Sequence, residues 1–514
     1  MMGRATAVEA EGLPNAFDRV VGYFSPRAGL ARYFDRIRLQ RAYEAASPRD
    51  PWRPRRGGAS PSADHAADAA VLRAKARSLV QNVPYMRAGL DGLVAETIGT
   101  GITTYATGSQ KDRIDELWEA WCKVCDADGR VDWNGMQALA DRAMEQDGEV
   151  LIRLRPRLAT DGLPVPLQLQ LLEIDFLDTA RMSGANSGNR IINGVEFDAL
   201  GRKAAFWLFD EHPGELGVLR ASGRTQSRRI PAAQIIHLFN PERPGQGRGI
   251  TRMAPVINRV RDLTLYEDAE IARKNQEARL GVVVSGDPST MANPTSYGTA
   301  ADPSKAAQTG DLGQLPSGGI VQIPGGMNVT TIAPTPAPGH VQYVKLQLHL
   351  IAAGWGVPYE IMTGDVSEVN FSSARVRIIN FRRQVEQTQW LCLVPNLIGR
   401  VRNAFIDAAE LAGLLPARAD NRACEHSTPK WDYVNPNDDA NAELSLICGG
   451  LLTPSQSLRQ RGFKPEAVFA EWAKDMNRFK ELGVLDLLLV MLKGRVSAQT
   501  SVLNGPGDGS NADA

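Results

Sequence analysis

The sequence has no surplus of either charge. Its 58 Lys and Arg side chains are cancelled by 58 Asp and Glu, which argues against a protein whose main task is to grip nucleic acid, because such grip comes from unbalanced basic side chains displacing counterions. Cysteine is sparse. Cys122, Cys125, Cys392, Cys424 and Cys448 are odd in number and scattered, which fits a reducing compartment and no disulfide framework. No apolar run reaches the roughly 18 residues of a membrane span, and no basic segment followed by an apolar one opens the chain. An intracellular chain without a membrane partner is therefore expected. The most apolar stretch, Val484 to Leu492, is short, contains Asp486 and reads as a buried helix.

Catalytic signatures are missing too. There is no G-x-x-x-x-G-K-[ST] loop for ATP, no H-E-x-x-H and no G-x-S-x-G elbow. Gly245-Gln-Gly-Arg-Gly249 follows Pro241 and Pro244 and reads as a turn before a helix, not a dinucleotide fingerprint. Cys122-Lys-Val-Cys125 has metal spacing but no second pair, and it lies in a helical pattern with Leu117, Trp118 and Trp121, so packing cysteines are expected. Asp126 to Asp132 hints at a calcium loop. Placing Gly129 at the sixth position puts Val124 and Gly135 where ligands belong, so a helix-linking turn is the better reading. Of the scattered histidines, His237 lies in Ile-Ile-His-Leu-Phe and reads as a satisfied core residue. No nucleophile meets a base, and neither an enzyme, a cofactor nor a metal is expected.

What is present is length and order. At 514 residues the chain needs more than one core. Residues 15–46 have helical apolar spacing, and Ser47 to Asp64 is a linker in which Arg49, Arg53, Arg55 and Arg56 read as solvated rather than phosphate-bound. Helical patterns at 66–95, 112–124 and 132–146 give way after Gly148 to period-two stretches at 149–154, 167–173, 194–198, 204–209 and 234–239, with a hairpin across 199–202. A long helix over 252–279, with Pro255 in its first turn, is followed by a strand near 282–284, a Gly- and Pro-rich stretch over 286–319 and a strand-turn-strand signal over 320–332. Helices at 339–353 and 373–415 follow, the latter kinked at Pro395. The pattern is a stalked insertion: two helices leave a body, carry a small β tip and return. Residues 441–494 read as helical with stops at Gly462 and Gly483, and 496–514 lack the apolar content to order themselves.

Between two of these helices runs PYEIMTGDVSEVNFSSA, residues 358–374, with Glu360, Asp365 and Glu368 and no Lys or Arg. One reading is a plain helix connection whose acids face solvent. The other needs the rest of the chain. RAKARSLVQNVPY (73–85), IGTGI (98–102), DGEVLIR (147–153), NGVEFD (193–198), HLFNPERPGQGRG (237–249), YEDAE (266–270), VPYE (357–360) and VNFSSAR (369–375) together resemble the portal proteins of lambda-type tailed bacteriophages, in order from about residue 15 to 490.

The resemblance implies an α+β portal fold: mixed α/β wing, long-helix stem, small β-rich clip and all-α crown. On this chain it places an arm and linker at 1–65, the wing at 66–250, the stem at 251–280 and 338–356 and the clip at 281–337. A tunnel loop at 357–373, a kinked helix returning to the wing at 374–440, the crown at 441–495 and a tail at 496–514 complete it. It further implies a closed homo-oligomeric ring of about twelve copies at one capsid vertex of the virion, assembled in the host cytoplasm, through which double-stranded DNA is packaged and ejected without sequence specificity. Its partners would be the terminase large subunit, a head-completion or adaptor protein, and the major capsid and scaffold proteins. In that setting Asp365 and Glu368, repeated around the ring, form a collar that repels phosphate, while Asn370, Ser372 and Ser373 offer weak, exchangeable hydrogen bonds. Arg375, Arg377, Arg382 and Arg383 then face acids of the neighbouring subunit, with DNA contact as the competing role. A non-portal head or scaffold protein and a nucleic-acid-processing enzyme remain the alternatives.

Overall fold

In the computed structural model, the residues described are 20–28 except 22, 60–182, 188–215, 226–278, 281–285, 328–332, 339–367, 371–429, 431, 436–461, 463, 465–484 and 490. The chain divides into two units, residues 1–64 and 65–514. Most of the arm and linker, the 286–319 stretch, the first strand of the 320–332 signal, most of the apolar stretch at 484–492 and the tail lie outside the described residues.

The segment read as one helix over 66–95 is two. Helix α1 (Pro61–Asn82) starts inside the segment read as linker, and α2 (Pro84–Thr97) follows after a single extended residue, Val83. Pro84 causes the break: it bars Val83 from the helical region and sits where its missing N–H costs nothing. A short strand β1 (Thr103–Ala106) leads to α3 (Lys111–Cys122) and α4 (Trp133–Asp147). The turn between these helices spends its acid on the backbone: the Asp126 carboxylate accepts N–H groups from Asp128, Arg130 and Val131 at 3.0, 2.8 and 3.2 Å. Helix α4 opens on an Asp132 cap and closes at Gly148, whose φ of 92° suits glycine.

Five of the strands that follow are those the alternation predicts, and two, Arg190–Ile192 and Ser227–Pro231, are ones it did not show. β2 (Glu149–Pro156) is central in a three-stranded antiparallel sheet between β3 (Leu167–Leu172) and β8 (Ile235–Phe239). β4 (Arg190–Ile192), β5 (Val195–Phe197), β6 (Lys203–Phe209) and β7 (Ser227–Pro231) form a four-stranded meander, with the hairpin at 198–202 where it was expected. Leu151, Ile235, Val195, Phe206 and Leu208 fill one apolar cluster spanning the two sheets.

Helix α5 begins later than expected. It runs Ile257–Ala278 over 22 residues, because Thr251 to Val256 form tight turns around Pro255. Strands β9 (Gly281–Ser285) and β10 (Asn328–Ile332) pair antiparallel, and α6 (His340–Trp355) returns. The two helices run antiparallel: Arg259 donates to Gln347 at 2.6 Å, while Tyr266 stacks on His340 one helical stretch further along. After α7 (Tyr359–Thr363), α8 (Phe371–Thr388) passes into a π-helical segment, Gln389–Ile398, and then α9 (Gly399–Leu411). The expected kink at Pro395 takes this form: a residue with no N–H interrupts the i→i−4 ladder, and the ladder widens around it.

Strand β11 (Cys424–Ser427) comes back to pair with β1. The C-terminal part is helical in α10 (Pro436–Cys448), α11 (Pro454–Gln460, capped by Thr453) and α12 (Pro465–Glu481), and Gly483 follows α12 with φ 69°. One core gathers Trp118, Trp121, Trp133 and Phe405 around Cys125, Cys392 and the π segment. A second core joins α1, α2, α5, α6, α7 and α8 and includes Val357, Tyr359 and Met362 of the connection between α6 and α8.

Candidate functional site: the loop between two long helices

The loop is ordered locally by glycine and proline. Helix α6 stops at Gly356 (φ 77°), where the N–H groups of Gly356 and Val357 both reach Ala352 O, at 2.9 and 3.2 Å. Pro358 starts the single turn α7, and Gly364 (φ 70°) ends it by donating to Glu360 O at 2.8 Å. Val357, Tyr359 and Met362 are buried. They seat against α2 where that helix has no side chains in the way: a Cβ on Gly89 would lie 2.3 Å from the Trp355 ring, and one on Gly92 2.2 Å from Ile361. Close approach of this kind is available only to glycine.

Among the described residues of the loop, both acids meet cations from its flanking helices. Asp365 accepts from Ser367 Oγ (2.6 Å), Ser367 N (3.0 Å) and the Tyr359 hydroxyl (3.0 Å), and Lys345 of α6 lies 3.6 Å away. The hydrogen bonds from the Ser367 hydroxyl and N–H, then that from Tyr359, hold its carboxyl well below the usual range, with Lys345 adding less. Tyr359 is fixed in turn by stacking on His349, centroids 4.2 Å apart. Glu360 pairs with Arg377.

Glu368 and Asn370 lie outside the described residues, and α8 begins at Phe371, so Ser372 and Ser373 belong to its first turn. Of the four arginines that follow, three meet acids of their own chain: Arg375 with Asp439 at 2.7 Å, Arg377 with Glu360, and Arg382 with Glu96 at 3.6 Å, the last also lying over Trp431. Arg383 is exposed.

Two buried ionic groups lie in the body of the chain. Glu149, fully buried, accepts from Arg248 Nε and Nη2, His237 Nε2 and the Gly249 N–H. Burial opposes its charge, but the Arg248 guanidinium and these hydrogen bonds hold the carboxyl well below its ordinary value. His237 is the satisfied core residue expected of it, with Nδ1 2.9 Å from Lys203 Nζ. Burial and Lys203 push His237 down to about 4, and burial pushes Lys203 down to about 8. On α4, Asp141 and Glu145 are one helical turn apart and buried; burial and then Glu145 push Asp141 well above the carboxylate range.

No catalytic constellation emerges among the described residues. Glu173, Asp175 and His212 approach one another closely enough for a metal, but Arg73 and Arg77 already occupy Asp175, and Arg77 also reaches Glu173 at 3.1 Å, so the acids are neutralised by guanidinium groups. Burial pushes the Cys125 thiol up to about 12, the inert state of a packing cysteine. Sequence reasoning missed Lys345, Gly89 and Gly92. The glycines had a signal, since two of them inside a helical pattern ask for a packing reason.

The family model described as "Phage portal protein, lambda family" matches residues 48–389. A "Probable portal protein" of Halomonas phage phiHAP-1 is 27% identical over 446 residues, 82% of this chain and 83% of the relative. Among solved structures, the "Neck of native GTA particle computed with C12 symmetry" is similar at TM-score 0.44 and 15% identity, over 78% of this chain and 94% of that one. The "Virion of native gene transfer agent (GTA) particle" is similar at TM-score 0.43 and 14% identity, over 77% and 94%.

Proposed function

The chain belongs to the lambda family of phage portal proteins, and from that premise we propose that it forms a closed ring of about twelve copies at one vertex of the phage head, with double-stranded DNA passing through the centre. Portal proteins are structural parts of the particle, and the chain's lack of an ATP-binding loop fits a motor supplied by a separate terminase. The observation that carries the reading is the apolar surface left on the paired long helices. Leu265 and Ile271 on α5, and Val341, Leu346 and Leu350 on α6, are between 43% and 60% exposed. Apolar groups repeated along two exposed helices mark a surface that another protein covers, and a neighbouring copy is the partner a ring supplies. Arg383 then faces that neighbour, while Arg375, Arg377 and Arg382 hold the loop helix to its own chain.

The loop faces the channel and must not hold what passes. Phosphate is gripped by unpaired cations; Asp365 occupies Lys345, Glu360 occupies Arg377 and Glu368 adds a negative charge, so the collar offers phosphate no free cation to grip. The β9–β10 end, with 286–319, docks terminase and the head-completion protein; the wing contacts capsid and scaffold in the host cytoplasm during assembly.

Mass measurement and negative-stain imaging of the purified chain test the ring: closed rings with a central hole are expected, and a monomer that persists at high concentration overturns the reading. The Asp365→Lys, Glu368→Lys double variant is expected to assemble normally and to stall DNA passage; packaging at the normal rate removes the collar. Deleting 286–319 is expected to spare the ring and abolish terminase binding, and undiminished binding contradicts that docking site.

A further inference from the structure

Arg252 lies where the chain leaves the sheet region and enters α5, and it touches α4, α6 and the first residue of the loop at once. Its backbone N–H donates to Glu145 O at 3.3 Å. Its Nε donates to Trp355 O, the last carbonyl of α6, at 3.0 Å. Its Nη1 reaches both carboxylate oxygens of Glu145 at 3.4 and 3.5 Å. Nη2 lies so close to Gly356 that a Cβ there would stand 3.0 Å from it. Gln384 and Thr388 of α8 share with it a cleft of about 380 Å³.

We propose that Arg252 is the positioning residue of the loop: its guanidinium clamps the last turn of α6 to the buried acid of α4, so that the loop is aimed by the wing as well as by its own helix. The chemistry favours this assignment. The last carbonyls of a helix lack intrahelical partners, and a cation placed there both accepts that role and opposes the helix dipole. Trp355 is 1% exposed and Glu145 4%, so water has little access to either group. Only a planar fork with several donors can serve a carbonyl and a carboxylate together; a lysine at the same position is a single point charge. Immediately beyond Trp355 the chain turns through Gly356 into Pro358 and α7, so a shift at this carbonyl is passed directly to Asp365. The importance of that aim rests on the channel reading given above; the clamp itself does not.

Amide hydrogen exchange on the full-length protein tests it. The reporters are the N–H groups of Gly356 and Val357, both bonded to Ala352 O. Arg252→Lys keeps a charge beside Glu145 and loses the fork, and is expected to speed exchange in 356–364 by about tenfold while 340–350 and 133–147 exchange as before. Arg252→Met combined with Glu145→Gln removes the clamp without leaving Glu145 as an unpaired carboxylate, and is expected to show the same local effect. Unchanged exchange in both variants overturns the proposal, and so does an equal rise across α4, α5 and α6, which marks a general prop. Exchange is read without ring or DNA, so failure of the clamp leaves the channel reading standing, and a chain that forms no ring still reports on the clamp.

Discussion

The Lys345 ammonium lies 3.6 Å from the Asp365 carboxylate, and it comes from a different helix. This pair sets a cation from α6 against one acid of a segment that has no Lys or Arg of its own. The pair is partly exposed, however, so solvent screens the tie it supplies.

The turn itself is held by Ser367 and Tyr359, not by the ion pair. Asp365→Ala is therefore expected to speed exchange of the Ser367 amide by about tenfold or more, and Lys345→Met by less than about threefold. The reverse order would show that charge pairing sets the loop. Because the Asp365 carboxyl is held below its ordinary value, the stability it contributes is present above that value and lost as pH falls through the lowered one. The turn should still be intact at the pH where a free aspartate is half protonated.

Gly89→Ala and Gly92→Ala place a methyl group into Trp355 and Ile361, respectively. Overpacking of a seated helix contact costs about 1–3 kcal/mol, read as a lowered melting temperature. Both glycines have ordinary helical backbone, so alanine adds no left-handed strain there and the loss reports the packing clash. Melting temperatures equal to wild type at both positions would contradict the packing account.

Asp141 is buried with neither carboxylate oxygen hydrogen-bonded. Its raised pKa means that the native state binds a proton the unfolded chain has released, so the wild type loses stability as pH climbs above the ordinary carboxylate range. Asp141→Asn does not ionise. It is expected to be stabilising at neutral pH, by about 1–2 kcal/mol, with an advantage that widens between pH 4.5 and 7.5 in thermal melts. An advantage that narrows with rising pH would contradict the assignment.

His237 stays neutral in the fold down to about 4, whereas a free histidine charges near 6.5. The unfolded state therefore binds the extra proton between those values, and stability falls as pH drops through that window. Glu149, lowered in the fold, adds a loss in the same direction at pH values below its ordinary one. His237→Gln, which cannot titrate, is expected to flatten melting temperature against pH between about 6.5 and 4. A slope equal to wild type would place the acid sensitivity elsewhere.

The strands at 149–156, 167–172 and 203–209 and the helices of the insertion were legible because their periodicity is local: each stretch states its buried face in its own residues. Helix starts were blurred at Pro84 and Pro255, where a proline admits two readings, one breaking a helix and one opening it. The four-residue strands β1 and β11 were not visible, since neither carries enough alternation to declare itself without its partner. At the loop, sequence supplied the acids, their place between helices and Arg377, but not Lys345, nor that Arg377 meets Glu360 of its own chain. Lys345 precedes Asp365 by 20 positions (365 less 345), and the reversal of the chain at Gly356 brings them together.

The pairing of β1 with β11 sets an order of events for a chain on the ribosome. Thr103 faces Ser427, 324 positions later, and among the described residues β11 is the one strand paired with β1. Closing so long a loop is only modestly dearer than closing a short one, about 0.6 kcal/mol per doubling, but it must wait for synthesis. Through that interval β1 is an open edge, able to accept a β11 from another copy as readily as its own. Where many identical chains gather, the last stitch of each subunit competes with an exchange of that stitch between neighbours.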